Sequence, residues 1–361
     1  MKTVAFIIND VSGAGGTERV ATRIANQLAA EREFRIIFIS LYERRSPVFY
    51  DISDDVKHVS IYPEEKHGVW RYFLTCYRIR HFLRDYSVDI AIDVDCIFDL
   101  YTLPAAAGLS TKVISWEHFN FNQNPQVPYR KIARRLAARY ADAIVTLTEE
   151  DQRLYKGNLS LRCPIVTIRN PMQSMSTRPE YDKTSTNLLS VGRLTSQKGF
   201  DLLVQIAALV LPGNPDWHWQ ILGEGEDRDL LEGQVIRAGL EKQVSFLGNR
   251  ENVDDFYKKA AIFVLTSRYE GLPMVLLEAK AHRLPIVSFN CETGPAEIVD
   301  DGRNGFLIDG FDCNAMAGKL EELMRSQAKR QEFSSAAGLH SDRFDIDKIV
   351  TAWKKLFERL D

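Results

Sequence analysis

The feature that most constrains the fold of this chain is a rhythm. Short apolar runs recur without polar interruption, and each is followed by a segment whose apolar residues repeat at helical spacing. An uninterrupted run suits a strand buried on both faces, as in a parallel sheet with helical crossovers. In the first half these runs are Val4–Ile8, Arg35–Ser40, Ile90–Ile92, Lys112–Ser115, Ala143–Thr146 and Ile165–Ile168. Helical spacing follows at Val20–Leu28 and at roughly 69–85, 98–108, 129–141 and 149–158. A second series places strands at 187–191, 217–222, 243–247, 262–265, 285–289 and 305–307. Its helices fall at 199–211, 227–238, 253–260, 273–282, 295–300 and 312–326. This alternation predicts an α/β fold of two Rossmann-like, doubly wound domains.

The expected boundaries are 1–172 for the first domain, 173–186 for a polar Pro/Ser/Thr linker, and 187–342 for the second domain. Residues 343–361 form a closing segment, whose helix at about 345–359 places Ile346, Ile349, Trp353, Leu356 and Phe357 on one face. A chain of 361 residues is long for one core and comfortable for two. The five cysteines are scattered, with no CxxC pair, which fits a cytoplasmic chain of reduced thiols and argues against structural zinc. The first apolar run is too short for a secretory signal, and no stretch reaches the length of a membrane span.

The net charge of −3 is unevenly spread, with residues 1–170 at +3 and the remainder at −6. That imbalance is too mild for nucleic acid, and it marks the N-terminal half as the one to approach an anionic surface. Two of its segments, Val69–Phe82 and Tyr129–Tyr140, mix basic and aromatic residues. They read either as amphipathic helices with a solvated basic face or as a peripheral contact with the inner face of an anionic membrane.

Residues able to carry chemistry cluster after the strand runs. The run 262–265 leads into Glu270-Gly271-Leu272-Pro273-Met274, and Glu278 follows on the next helix. Pro273 suits the first helical turn, and the N–H groups of Gly271, Leu272 and Met274 make an anion site at a helix N-terminus. Two carboxylates beside such a turn suit a ligand with both hydroxyls and phosphates. The loop Gly192-Arg193-Leu194-Thr195-Ser196-Gln197-Lys198-Gly199 follows the first strand of the second series, where Arg193 and Lys198 could clamp a diphosphate. Solvated surface charge is the plainer reading of that pair. Gly13, Gly15 and Gly16 permit close backbone approach to a phosphate or sugar, but Glu18 stands where a dinucleotide fingerprint needs its third glycine. His118 ends the run 112–115 and is read either as a structural histidine or as a sugar contact. Asp93-Val94-Asp95 has the form of a metal-binding DxD, but it lies in the half without nucleotide-binding features and is discounted. No Ser-His-Asp or HExxH signature is legible.

Four stretches together resemble the retaining GT-B enzymes of glycosyltransferase family 4. They are Gly15-Gly16-Thr17-Glu18-Arg19, the Gly192–Gly199 loop, Glu270-Gly271-Leu272-Pro273 through Glu278-Ala279, and Thr293–Val299 running on to Asp301–Gly305. The similarity covers nearly the whole chain and is densest from 187 to 310. Two departures are Arg283, where a glycine is usual, and Thr293-Gly294 in place of a Gly-Gly pair.

The resemblance implies that Arg193 and Lys198 bind the donor diphosphate and that Glu270, with the Gly271–Pro273 backbone, holds the donor sugar. It also implies that Glu278 takes the ribose hydroxyls, that the base lies near Gly248–Asn252 with Arg250, and that Gly192 lines the donor site. Gly15 and Gly16 then approach the phosphate or acceptor, and His118 contacts a sugar hydroxyl. The implied partners are a UDP-sugar donor and an undecaprenyl-diphosphate-linked saccharide acceptor, with no cofactor and no required metal. The stretch Ile114–Asn120 is similar to bacterial enzymes that build O-antigen, capsule or exopolysaccharide repeats. A UDP-sugar epimerase on the same frame and a non-catalytic sugar-nucleotide-binding partner in an assembly complex are the competing expectations.

Overall fold

The computed structural model describes residues 1–64, 71–124, 127, 129–173 and 180–360. It divides into two compact units, Met1–Pro171 with Arg343–Asp361, and Met172–Asp342. Six residues of the expected linker, 174–179, and the first two of the basic segment at 69–82 lie outside the described residues.

The first unit holds a seven-stranded sheet: β1 (Lys2–Ile8), β2 (Phe34–Ser40), β3 (Val56–Ser60), β4 (Ile90–Val94), β5 (Lys112–Trp116), β6 (Ala143–Thr146) and β7 (Ile165–Thr167). Their order is β3-β2-β1-β4-β5-β6-β7, and every pairing is parallel. The second unit holds β8 (Asn187–Val191), β9 (His218–Leu222), β10 (Val244–Gly248), β11 (Ile262–Leu265), β12 (Ile286–Phe289) and β13 (Gly305–Ile308). These are also parallel, in the order β10-β9-β8-β11-β12-β13. Both sheets are the doubly wound architecture that the apolar rhythm predicts.

The central strands are apolar because helices cover both faces. Ala5, Ile7, Ile37, Ile39 and Ala91 pack beneath Ile79 and Leu83 of the helix Arg71–Asp85. In the second unit Leu188, Ile221, Ile262 and Val264 share a core with Leu203 and Leu320. The structure adds two elements to the sequence reading. β3 is an edge strand whose sequence, VKHVS, buries only Val56, so it lacks the apolar run that betrays its neighbours. The helix Gln327–Ala336 follows directly on Cys313–Arg325, with Ser326 as its cap.

The last helix, Ile346–Glu358, belongs to the first unit. The Asp345 carboxylate caps it, accepting from the N–H groups of Asp347 and Lys348. Trp353 is fully buried, edge-on to Trp116 with ring centroids 5.0 Å apart, and Phe357 meets Phe34. Lys354 closes the contact by pairing with Glu31 and Glu33. Truncating Trp353 to alanine would cost about 3–5 kcal/mol, the usual range for a buried aromatic.

Candidate active site

β8 and β11 are neighbours at the centre of the second sheet, and the strand order reverses between them. Open α/β sheets bind ligands at such switch points, beyond the carboxyl ends of the strands. The loop after β8 carries Gly192, Arg193 and Lys198, and the loop after β11 carries Glu270, Gly271, Leu272 and Pro273.

Topology thus brings together residues some seventy positions apart. Lys198 ends the short 3-10 turn Ser196–Lys198, and its Nζ donates to Glu270 Oε1 at 2.6 Å. Glu270 is buried and Lys198 half-buried, with Gly192 lying against the aliphatic stem of the lysine. Arg193 is exposed and makes no ion pair among the described residues. A cation already matched to a carboxylate thus stands in the same loop as one that is uncommitted.

The turn at 271–273 leads into the helix Met274–Ala281. Pro273 occupies the cap with extended backbone (φ −70°, ψ 105°), one position earlier than the first helical turn expected for it. Among the described residues, the N–H groups of Gly271, Leu272 and Met274 donate to no hydrogen bond, as an anion site requires. A second loop buttresses this turn. Thr293 donates through its hydroxyl to the Glu270 carbonyl. Gly294 has φ of +100°, and a Cβ there would fall 2.5 Å from Pro273 Cδ and 2.7 Å from the Gly271 carbonyl oxygen. Only glycine allows that approach.

Glu278 lies on the following helix, half-buried, and its Oε2 accepts from the Tyr257 hydroxyl at 2.8 Å. Tyr257 is fully enclosed, stacked on His282 at 5.0 Å and on Phe263 at 5.6 Å. Nothing in the sequence separates Tyr257 from an ordinary core tyrosine. Its partner at position 278 becomes visible only when the helix Val253–Lys259 is set against β11 and Met274–Ala281. Arg250 is exposed in the loop after β10, and no hydrogen bond or ion pair among the described residues joins it to Lys198 or Glu270.

Gly15, Gly16 and His118 belong to the first unit. Gly15 precedes the helix Gly16–Ala30 with extended backbone and no side-chain cap. The Glu18 carboxylate folds back over this turn, so that a Cβ on Gly15 would meet its Oε2 at 2.3 Å. The glycine makes room for a resident carboxylate at the helix N-terminus, where the dipole favours one. His118 follows β5 with its ring 4.3 Å from that of Trp116. Burial drives its pKa down to about 3, against the opposing pull of Glu117. The ring is therefore neutral at physiological pH. Its Nε2 has no hydrogen-bond partner among the described residues, leaving it suited to a hydroxyl.

Beside His118 lies a buried charge network. Arg134 donates from Nε to Glu117 Oε2 at 2.6 Å, and Tyr155 donates to the same oxygen at 2.7 Å. Arg130 bonds Asp95 and approaches Glu117 Oε1 and Cys96 Sγ, each at 3.7 Å. Asp95, Cys96 and Glu117 lie close enough together to suggest a metal site, but the Arg130 guanidinium supplies the positive charge among them. Burial pushes the Glu117 carboxyl up, yet the guanidiniums of Arg134 and Arg130 outweigh it and bring the group down to about 2. Asp95 holds φ at +101°, a conformation costing a non-glycine residue about 1–3 kcal/mol. Asp93 points elsewhere, fully buried against Asp99 and Thr102, and burial pushes its carboxyl up to about 7. The two aspartates of the DxD sequence therefore face different partners. Arg130 and Arg134, which belong to the segment read as a basic surface, are core residues.

Comparison with known proteins gives the family of the chain. Residues 14–173 match the family described as Glycosyltransferase Family 4, and residues 174–339 the one described as Glycosyl transferases group 1. An uncharacterized glycosyltransferase of Haemophilus influenzae is 32% identical, over 98% of this chain and 99% of its own. The amylovoran biosynthesis glycosyltransferase AmsD of Erwinia amylovora is 26% identical, over 99% of both chains. A Campylobacter jejuni α-1,4-N-acetyl-D-galactosaminyltransferase, named for a saccharide on PP-undecaprenol, is 28% identical over 99% of this chain and 98% of its own.

Among solved structures, a mutant of S. aureus TarM in complex with α-GlcNAc-glycerol and UDP matches with a TM-score of 0.81 at 15% identity, covering 99% of this chain and 100% of that one. Anabaena HepE in complex with UDP and glucose matches at 0.78 and 17% identity, covering 98% and 99%. The architecture is that of the GT-B glycosyltransferases. The chain belongs to glycosyltransferase family 4, whose members transfer sugars with retention of anomeric configuration.

Proposed function

We propose that the protein moves a hexose or N-acetylhexosamine from a UDP-sugar to an undecaprenyl-diphosphate-linked saccharide during assembly of a bacterial surface polysaccharide. The observation that carries this reading is the convergence at one switch point of the Lys198–Glu270 pair, the uncommitted Arg193 and the open N–H groups at 271, 272 and 274. Those groups match a diphosphate, and the carboxylates match hydroxyls. UDP occupies the structural neighbours TarM and HepE, and the Campylobacter relative is named for an undecaprenol-linked substrate.

In this reading Arg193 and Lys198 receive the diphosphate, Glu270 and the 271–273 backbone hold the donor sugar, and Glu278 takes the ribose hydroxyls. Arg250 stands towards the base, and Gly15, Gly16 and His118 serve the acceptor side. The acceptor oxygen bonds to the sugar's anomeric carbon on the face that UDP leaves, and its proton passes to the departing phosphate oxygen. The largest contribution falls on the cations and N–H groups aimed at the charge that develops on the leaving group.

A panel of UDP-sugars offered with undecaprenyl-diphosphate-linked saccharides, read by mass, tests the reading. One donor should add a single sugar, and proton NMR should show an α linkage from an α-linked donor. A β linkage ends the retaining assignment. Interconversion of the UDP-sugar without acceptor would instead mark an epimerase.

The same reading includes peripheral contact with an anionic membrane through the first unit. Phe73 and Tyr77 stand 75% and 64% exposed on the helix Arg71–Asp85, and Ile132, Lys131, Arg135 and Arg139 are exposed on the helix Arg130–Tyr140. No helix among the described residues is long and apolar enough to cross a membrane. Binding to vesicles containing phosphatidylglycerol should fall as salt rises. Equal recovery with anionic and neutral vesicles would remove the membrane contact.

A further inference from the structure

Lys198 and Glu270 sit on separate loops, and their meeting depends on how those loops are joined. Arg268 makes most of the join. Its guanidinium grips the Asp201 carboxylate with both arms, Nη1 to Oδ1 at 2.7 Å and Nη2 to Oδ2 at 2.6 Å. The same Nη1 donates to the Ser196 carbonyl at 2.8 Å, and the Arg268 backbone N–H donates to the Gln197 carbonyl at 2.8 Å. Three further contacts lie on either side. Thr266 Oγ1 donates to the Lys198 carbonyl at 3.0 Å, and Gln197 Nε2 to the Tyr269 carbonyl at 3.1 Å. Gly199, with φ of +65°, lets the Thr266 carbonyl approach so closely that a Cβ would stand 2.2 Å from its oxygen.

We infer that Arg268 and Asp201 are positioning residues that hold Lys198 and Glu270 at their working separation. The fork spans the start of the helix Phe200–Val210 and the loop after β11, so it fixes the distance between the two loops and their relative twist. A bidentate guanidinium–carboxylate pair has the directionality for this, whereas a lysine at 268 keeps the charge but loses the fork. Neither residue needs to touch the donor. Their influence passes through Lys198, one residue from Gly199 and three from Asp201. A displacement of about 1 Å in such a group can cost a hundredfold in rate.

The inference rests on the reading of Lys198 as a diphosphate ligand, and a double-mutant cycle separates the two claims. Calorimetric titration with UDP alone is the readout, applied to the parent protein, Arg268→Lys, Asp201→Asn, Lys198→Ala and the double variants Lys198→Ala/Arg268→Lys and Lys198→Ala/Asp201→Asn. Arg268→Lys and Asp201→Asn should each weaken UDP by roughly tenfold in the parent background and by less than about twofold once Lys198 is gone.

Equal losses in both backgrounds mean that the fork supports the fold generally and overturn the inference. So does full UDP affinity in Arg268→Lys and Asp201→Asn alongside a loss in Lys198→Ala. Full affinity in Lys198→Ala itself breaks the reading of the site on which the inference stands. Asp201→Asn keeps the shape but turns one accepting oxygen into a donating amide, which breaks one arm of the fork, so it tests the claim even where Arg268→Lys folds poorly. Arg325→Ala, which removes an ion pair with Glu321 on the surface of the same unit, should leave UDP binding unchanged.

Discussion

The first unit and the second share the order of their first six strands yet spend charge at the carboxyl ends of those strands in opposite ways. After β4 and β5, Asp95 and Glu117 are met by Arg130 and Arg134, with Tyr155 completing the set, and most of these side chains are sealed from water. After β8 and β11, Lys198 and Glu270 pair within reach of solvent, Arg193 is uncommitted, and backbone N–H groups stand open. The closed arrangement fixes a shape, because each charge has already found its counter-charge. The open one can exchange its internal partner for a ligand. A shared strand order is therefore compatible with a closed charge network and with an open one, and the placement of arginines decides between them.

The sharpest way to break this comparison is to remove one member of the closed network. Arg134→Met leaves Glu117 buried with its main counter-charge gone. It should cost about 3–5 kcal/mol in chemical denaturation. A loss below about 1 kcal/mol would place the network with ordinary surface pairs. The opposite signature belongs to Lys198→Ala. Turnover should fall about a hundredfold or more, as for loss of a preorganised donor to a developing anion, while stability falls by less than in Arg134→Met, because Lys198 is only half-buried and makes a single bond to Glu270.

Smaller effects sharpen the picture. Glu278→Gln should act on donor binding, raising KM about tenfold with little change in kcat. Tyr257→Phe should reproduce part of this, at about 1 kcal/mol, because it removes one hydrogen bond that orients the carboxylate. A loss confined to kcat would move Glu278 from ribose contact to the reacting bonds.

The weakest test uses pH and reads the first unit against itself. Glu117 is depressed to about 2, so its stabilisation is present above the unfolded carboxylate range and lost as pH falls through 2. Asp93 is raised to about 7, so the folded chain holds its proton more tightly than the unfolded one. Its contribution is full below the unfolded range and declines as pH rises towards 7. Asp93→Asn should lessen the decline of stability between about pH 4 and 7, part of which belongs to the neighbouring Asp99, also raised by burial, and leave the acid limb in place, as a pH series of melting temperatures would show.

Much of the fold was legible because buried parallel strands must be apolar along their whole length. That is why β1, β2, β8 and β11 announce themselves and the edge strand β3, with Lys57 and His58 exposed, does not. The residues proposed for the donor were also legible, since Gly192–Lys198 and Glu270–Glu278 fall at strand ends, where a doubly wound sheet gathers its ligands. Pairings across loops were not. Tyr257 with Glu278, Arg268 with Asp201, and Arg130 with Asp95 join residues 21 to 67 positions apart, and no local period records them. The reading of Arg130 and Arg134 as surface charge failed for the same reason. Four residues apart on a helix lined by Ala133 and Ala137, they face inward because a buried Glu117 waits there.

The sequence by itself determined the parallel α/β class, the two series of strands, and the identity of the groups at their carboxyl ends. Hydrophobic periodicity and backbone constraints act over a few residues, and that is the range a sequence displays. Tertiary structure alone decided which of those groups would be neutralised internally and which would be left for a ligand. That choice depends on separations of a few ångströms between distant loops, where a guanidinium either reaches a carboxylate or leaves it open.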